Sequence, residues 1–261
     1  MMQFANQLAE RVGKGYLSYS SCKEALKDIK LWELYMQGRL RKHSDALHFG
    51  SIYDKLLFEP QSFDKEFVVV NDDKITAEIG GKSPRATKKY KDWLKEMTLD
   101  ATKSKLGVVN ANDYKQAIEM IERLDKTPVR EEFLKGDYQV EFNSFIEGTE
   151  GDDIPVRGFL DCKGDGYISD SKTTQRMSGF KYDVNKFSYD IQAYIYCEVF
   201  GVEDYYWVVQ EKAYPYAVGV YKASPRTLEG GERKFHAAVA KIKAYLDGHL
   251  IPEAYYNYQE I

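Results

Sequence analysis

The amino-acid sequence predicts an α/β fold in which a mixed central sheet is flanked by helices. Three consecutive stretches in the second half of the chain alternate hydrophobic and polar residues, as strands with one buried face do. Stretches with hydrophobic residues at helical spacing precede these strands and also follow them. Helices on both sides of a run of strands indicate a layered α/β arrangement.

The first part of the chain is predicted to be helical. Hydrophobic residues at helical spacing predict one helix over residues 20–40, with Ser20 or Ser21 as its N-cap. A second helix is predicted over residues 46–58, where Pro60 stops it.

Residues 61 to about 135 are polar and mostly helical in pattern. Ser83-Pro84 is predicted to open one helix and Asn112 to cap another. We therefore expect a single domain over residues 1–261, with a mainly helical insertion at about 61–135.

The strands follow this insertion. Alternation at Tyr138, Val140 and Phe142 predicts the first, and Val156–Cys162 and Tyr167–Lys172 predict the next two, separated by turns rich in Gly and Asp. The later elements are predicted to be a helix over 189–199, strands over 205–210 and 217–222, and a helix over 225–246.

Composition limits the function classes. The 261 residues are 43% hydrophobic and 30% charged, and no stretch approaches the ~20 apolar residues of a membrane span, so we expect a cytoplasmic protein without a membrane partner. The net charge of −4 argues against a passive nucleic-acid coat, yet it allows an enzyme that holds divalent cations with acidic ligands. Cys22, Cys162 and Cys197 are too dispersed for a structural zinc site or a disulfide framework.

Two carboxylates and one lysine carry the predicted chemistry. Asp170 and Lys172 lie two residues apart on one strand and so share a face, and a short turn at 164–166 brings Asp161 back beside them. Phosphodiester hydrolysis needs oxygen ligands for a divalent cation and a positive group near the phosphate. The alternative interpretation of the Asp-Ser-Lys triplet is a solvated strand end with a weak salt bridge.

Five segments, taken in order, resemble the PD-(D/E)XK superfamily. Within it they are most similar to the exonuclease VIII-type recombination nucleases of phages and prophages, and more distantly to RecB-like and lambda-exonuclease-like enzymes. The segments are Leu17–Ser21 (LSYSS), Gly50–Pro60 (GSIYDKLLFEP), Arg157–Asp161 (RGFLD), Asp170–Thr174 (DSKTT) and Tyr189–Tyr196 (YDIQAYIY).

The resemblance implies a restriction-endonuclease-like core and a role for each matching residue. Asp161, Asp170 and the backbone carbonyl of Ser171 would bind Mg²⁺, or Mn²⁺ as a substitute, and Lys172 would be the catalytic lysine. Gln192 and Tyr196 would line the site from the following helix. Some RecB-like nucleases carry a four-cysteine iron–sulfur cluster, which three dispersed cysteines cannot build.

The sequence departs from the family pattern at two positions. Asp54 stands where the family usually has His, and Tyr194 stands where the helix motif has a small residue. Because carboxylate suits Mg²⁺ better than imidazole, Asp54 is a candidate ligand for a second ion. Glu141 is a further candidate ligand, since its face of the strand is either the metal edge or plain solvent.

The densest basic stretch is a candidate DNA-contacting surface. It comprises Lys88, Lys89, Lys91, Lys95, Lys103 and Lys105, interleaved with Tyr90 and Trp93. Basic side chains with aromatic neighbours can hold a DNA backbone and stack on bases. The alternative is a solvated helix face, as most lysine-rich helices are.

The resemblance implies a metal-dependent exonuclease acting on double-stranded DNA ends in the cytoplasm of a bacterial host. It would degrade one strand 5′ to 3′ in phage-type recombination, supply a single-strand annealing protein, and form a homo-oligomer. The alternatives are a PD-(D/E)XK endonuclease and a catalytically inactive, DNA-end-binding recombination scaffold. A P-loop at Gly81-Lys82-Ser83 is improbable, because Thr76 replaces the first glycine of that motif.

Overall fold

The computed structural model describes residues 2–40, 44–99 and 106–250. The chain forms two compact units, one from Met1–Lys42 with Val129–Ile261 and the other from His43–Pro128. The second unit therefore starts earlier in the chain than the insertion expected at about 61–135, and it ends a few residues before the expected end of that insertion. Within the described residues, no helix combines the length and the apolar character that crossing a membrane requires.

Helices and strands are numbered along the chain. The helices are α1 (Met2–Val12), α2 (Tyr19–Lys27), α3 (Ile29–Met36), α4 (Asp45–Phe58), α5 (Asp73–Ile79), α6 (Lys88–Met97), α7 (Ala111–Asp125), α8 (Val129–Phe133), α9 (Phe180–Lys186), α10 (Tyr189–Phe200) and α11 (Pro225–Leu246). The strands are β1 (Phe67–Val70), β2 (Gly107–Asn110), β3 (Asp137–Glu147), β4 (Asp153–Lys163), β5 (Tyr167–Thr174), β6 (Asp204–Glu211) and β7 (Val218–Lys222).

The first unit is built on a five-stranded mixed sheet with the order β3-β4-β5-β6-β7. Neighbouring strands are antiparallel except β5 and β6, which are parallel. A parallel pair needs a crossover connection, and helices α9 and α10 provide it. The mixed α/β class, the three-strand meander and the order of the later elements are therefore confirmed.

In the core of the first unit, α10 packs against the sheet, and α2 and α11 pack on α10 and on each other. Two glycines permit the close approaches. A Cβ on Gly158 of β4 would lie 2.7 Å from the Phe142 ring and 3.0 Å from the Tyr196 ring. A Cβ on Gly231 of α11 would lie 2.1 Å from the carbonyl oxygen of Asp190, so only a glycine lets the backbone of α11 approach the backbone of α10 this closely.

The single helix expected over residues 20–40 is wrong, because Asp28 divides it. Asp28 has an extended backbone (φ −159°, ψ 129°), its N–H bonds to the Glu24 carbonyl, and its side chain accepts the Leu31 N–H at 2.8 Å. One residue thus ends α2 and caps α3.

The second unit is less purely helical than expected. Strands β1 and β2 pair in parallel, from Phe67 opposite Gly107 to Val70 opposite Asn110. Asn110, not Asn112, caps α7 by accepting the Asp113 N–H at 2.9 Å. Pro84 begins a 3₁₀ turn, and Thr87 caps the α-helix that follows.

An ion pair in the second unit centres on Asp72, whose side chain is 1% exposed. Arg85 donates to both carboxylate oxygens, at 2.7 and 3.1 Å, and the Tyr90 hydroxyl donates at 2.7 Å. The Arg85 hydrogen bonds hold the pKa of Asp72 below its ordinary value despite burial.

We expect Gly158→Ala to destabilise the first unit by about 1–3 kcal/mol, because the new methyl group overlaps the rings of Phe142 and Tyr196. Gly179→Ala is the matched control, since its Cβ would meet no atom within 4 Å. Urea unfolding measures both. Equal midpoints for the two variants would show that the rings shift aside at no cost.

We expect Asp72→Asn to lower the free energy of unfolding at pH 7 by about 1–3 kcal/mol, since Arg85 loses its charged partner. The folded-state pKa of Asp72 is depressed, so its contribution is present above the unfolded pKa of about 3.9 and is lost as pH falls through the folded value. The difference between wild type and variant should therefore shrink in acid. Asp73→Asn, at an exposed neighbour, is the control, and an identical loss there would contradict the assignment.

Candidate active site

The site lies where strands β4 and β5 separate. Their ladder contains only the pairs Cys162–Ser169 and Lys163–Ile168 within the described residues. One residue further along, the Asp161 carboxylate accepts the N–H of Ser171 at 2.8 Å. A side chain thus occupies the place of a main-chain partner, and this contact holds Asp161 against β5.

The other side of Asp161 is also irregular. The β3–β4 register has Tyr138 opposite Cys162 and Val140 opposite Leu160, and it omits the intervening pair of Gln139 and Asp161. Gln139 has φ 51°, a left-handed backbone that non-glycine residues seldom adopt. The strand is therefore distorted where Asp161 must turn toward β5.

Asp170 lies beside this opening and is 2% exposed. Its Oδ1 accepts the Gln192 side-chain amide at 2.8 Å, and its Oδ2 pairs with the Lys172 ammonium. A buried carboxylate is costly unless it is paired and hydrogen-bonded. Lys172 and Gln192 supply those two contacts, from the same strand and from helix α10.

Lys172 remains an ammonium at neutral pH. Burial lowers the pKa of Lys172, but the charges of Asp170 and Asp161 raise it more, so the net pKa lies above its ordinary value. The Nζ atom also lies 5.1 Å from the ring centre of Tyr189, within cation–π range. In this arrangement the Lys172 ammonium is placed to donate hydrogen bonds beside Asp170.

Gln192 and Tyr196 lie one turn apart on α10. A carboxylate only accepts hydrogen bonds, so the Gln192 NH₂ must face Asp170, which leaves its buried Oε1 without a partner among the residues described. Tyr196 is buried edge-on to Phe142 with ring centres 5.3 Å apart. Burial raises the pKa of the Tyr196 phenol, so it is neutral and supports the site from the core side.

Sequence reasoning left two site tyrosines without a role. Tyr189 lies beneath the Lys172 ammonium, and the Tyr19 ring centre is 6.4 Å from that of Tyr189. Tyr19 lies in the segment LSYSS and Tyr189 in the segment YDIQAYIY, so their place in the family-like segments is the sequence feature that could have indicated a role at the site.

The LSYSS segment is held against β4. Leu17 exchanges hydrogen bonds with the backbone of Pro155 and Arg157, at 2.9 and 2.8 Å. Ser18 and Ser21 form a capping box at the start of α2, with Tyr19 between them. The segment therefore brings Tyr19 beside strands β4 and β5 from a distant part of the chain.

Glu141 does not join the two aspartates. Its neighbour Phe142 packs against Tyr196 of α10, so by alternation Glu141 points to the opposite face of the sheet from Asp170. There it is exposed and ion-paired with Arg157, whose Nε donates at 2.9 Å. Over the described ranges, no three acidic, His or Cys side chains are grouped to hold a metal. Of the two faces left open by the sequence, Glu141 therefore lies on the solvent-exposed one and not on the face that holds Asp170.

The remaining candidates lie in the second unit. Asp54 is on α4 and partly exposed, and its role as a ligand stays a prediction. Lys88 and Lys91 are exposed on α6, and Lys89 pairs with Glu78 at 2.6 Å. Trp93 is partly buried, with its ring centre 5.7 Å from that of Tyr90.

Tyr90 is a correction to the predicted DNA-contacting stretch. Its side chain is buried and its hydroxyl is bonded to Asp72, so the ring is not available for stacking on bases. The interleaved pattern did not reveal this, because an aromatic residue on an amphipathic helix serves the core as readily as a ligand. Lys103 and Lys105 lie outside the described residues.

The donor set of the first unit fits a hard divalent cation. Two carboxylates, Asp161 and Asp170, lie beside the backbone of Ser171, and Mg²⁺ is commonly held by one or two carboxylates plus waters and substrate phosphate. The unpartnered Gln192 Oε1 offers an acceptor for a cation-bound water. Sulfur ligation does not compete, since burial raises the pKa of each cysteine thiol, Cys22, Cys162 and Cys197, to about 12.

Comparisons with known proteins agree with this fold. A putative exonuclease from Eubacterium rectale, known from its crystal structure, aligns with a TM-score of 0.62 at 16% identity, over 99% of this chain and 93% of that one. SSO0001 (TM-score 0.32, 16% identity, 74% and 86% coverage) and LHK-Exo in complex with dAMP (0.29, 11%, 76% and 95%) score too low to support an argument. No curated protein matches significantly.

The family model for a PDDEXK-like domain of unknown function, DUF3799, matches residues 18–255. That range contains Asp161, Asp170, Lys172 and the helix that carries Gln192. The chain therefore belongs to this PDDEXK-like family and has the fold of the PD-(D/E)XK nuclease superfamily.

Proposed function

We propose that the protein is a Mg²⁺-dependent deoxyribonuclease that hydrolyses phosphodiester bonds of duplex DNA from its ends. The observation that carries this proposal is the buried Asp170–Lys172 pair, held by Gln192 and set beside Asp161 at the opening between β4 and β5. Family membership and fold support a nuclease. The metal, the substrate and the mode of attack are the proposed part.

Asp161, Asp170 and the Ser171 carbonyl would hold the cation. When bound, Mg²⁺ lowers the pKa of a coordinated water and offsets the charge of the phosphate. Gln192 occupies Oδ1 of Asp170 and so orients the carboxylate. Lys172 donates hydrogen bonds to the attacking water or to a phosphate oxygen, and its fixed positive charge stabilises the negative charge that develops there.

The finer proposal rests on the resemblance to exonuclease VIII-type nucleases. It is degradation of one strand 5′ to 3′, which leaves a 3′ overhang for a single-strand annealing protein in phage-type recombination. A homo-oligomer and a location in the bacterial cytoplasm belong to the same proposal. The Eubacterium rectale protein is described as a putative exonuclease, which is in line with the exonuclease part of this proposal alone.

We expect Lys172→Ala to lower the rate of Mg²⁺-dependent nucleotide release from linear duplex DNA by about 100- to 1000-fold, because a preorganised positive donor is lost. DNA binding, measured by fluorescence anisotropy, should be retained. Lys222→Ala is the control, since Lys222 pairs with Asp204 on the surface of the same sheet. A wild-type protein that releases no nucleotide with Mg²⁺ or Mn²⁺ would instead favour the inactive end-binding scaffold.

An exonuclease needs a free end, so we expect linear duplex DNA to be degraded while a covalently closed circle of the same sequence persists. Gel analysis of both substrates in one reaction measures this. Loss of the circle at a comparable rate would identify an endonuclease. Labels at the 5′ or 3′ end of the linear substrate then report the polarity.

A further inference from the structure

Two exposed aromatic residues lie in the segment that joins the catalytic strand β5 to helix α10. Tyr182 is 67% exposed and Phe187 is 39% exposed. Isolated exposed aromatics are ordinary, but each of these carries a lysine over its ring. The Lys181 ammonium is 4.9 Å from the Tyr182 ring centre, and the Lys186 ammonium is 5.1 Å from that of Phe187.

Phe187 is held in place by its backbone. Its carbonyl accepts the Tyr19 hydroxyl at 2.7 Å, and its N–H bonds to the Asp183 carbonyl at 2.8 Å. The next residue, Ser188, has φ 58°, a left-handed conformation unfavourable for a non-glycine residue. These contacts fix the backbone position of Phe187 beside Tyr19.

A line of contacts connects this ring to the catalytic lysine. The Phe187 and Tyr189 ring centres are 5.7 Å apart, and the Tyr189 ring centre is 5.1 Å from Lys172 Nζ. All these residues belong to the first unit. The surface ring is therefore two contacts from the group that would face the scissile phosphate.

The chemistry of this surface selects its ligand. A flat ring binds a nucleobase by stacking, and nearby ammonium groups attract the backbone phosphates on either side of that base. The one nearby carboxylate of α9, Asp183, is outnumbered by Lys181 and Lys186. Only a base released from its neighbours in a duplex can lie against the ring.

Resting on the proposed nuclease function, we propose that Phe187 is a stacking platform for the unpaired nucleobase next to the scissile phosphate. The substrate at the moment of cleavage is then a single strand or a frayed duplex end. Phe187 is a positioning residue, because it holds the nucleotide and does not touch the reacting atoms. Tyr19 and Tyr189 fix the position of Phe187 relative to Lys172.

The first test is binding by the full chain in EDTA, which needs no catalysis. The probes are a fluorescent oligothymidine and an abasic oligonucleotide of equal length. We expect wild type to prefer the oligothymidine by about 5- to 150-fold, the range that stacking on one aromatic ring supplies. Phe187→Ala should lose this preference and bind the abasic probe as before, and Phe187→Trp should keep it.

The matched control is Phe145→Ala, which removes a ring that is 57% exposed on β3, opposite Pro155 and far along the strand from Asp161. It should leave both affinities unchanged. Equal loss of affinity for both probes in Phe187→Ala, or an unchanged preference, overturns the proposal.

Cleavage gives a second readout. On a single-stranded substrate Phe187→Ala should raise KM more than it lowers kcat, and an abasic nucleotide beside the scissile bond should abolish the difference from wild type. If wild type cleaves nothing yet shows the base preference in EDTA, the nuclease proposal fails, and Phe187 is a base-stacking site of a protein that binds DNA without cleaving it. If wild type cleaves DNA and shows no base preference, the platform alone is wrong.

Discussion

The buried charge of Asp170 is the constraint on which the first unit depends. A carboxylate that is 2% exposed must be compensated inside the protein, and here Lys172 and Gln192 do so. Since Gln192 must reach across from α10, this requirement sets where the helix lies on the sheet. Gly158 then leaves room for Tyr196 on the same helix, and Gly231 lets α11 pack directly on α10. Two glycines thus allow the helix packing that places Gln192 against Asp170.

The strands and helices nearest the site could be predicted because their signals are local. Alternation marked β3, β4 and β5, and helical spacing of hydrophobic residues marked α11 over the residues it occupies. The break at Asp28 could not be found this way, because the hydrophobic spacing continues across it and only a side-chain cap interrupts the helix. The β1–β2 pair was not predicted for a different reason. Its two short strands are far apart in sequence and pair only in the folded structure.

Within the site, motif spacing was enough to bring Asp161, Asp170 and Lys172 together, but it did not give their partners. Alternation showed that Glu141 and Phe142 point to opposite faces, yet it could not say which face holds the aspartates. The packing of Phe142 on α10 decides this. Tyr90 shows the same limit, since its partners Asp72 and Arg85 come from other segments. Residue types indicate what chemistry is available, and three-dimensional neighbours decide which groups are free to perform it.

The interrupted hydrogen bonding around Asp161 has a mechanical consequence. The sheet is effectively two ribbons, β3–β4 and β5–β6–β7, joined by a seam of two residue pairs and one carboxylate–amide contact. A small tilt about this seam would change the separation between Asp161 and Lys172 while the long ladders within each ribbon stayed intact. The separation between Asp161 and Lys172 therefore depends on far fewer hydrogen bonds than the ladders within either ribbon, and it can change without loss of secondary structure.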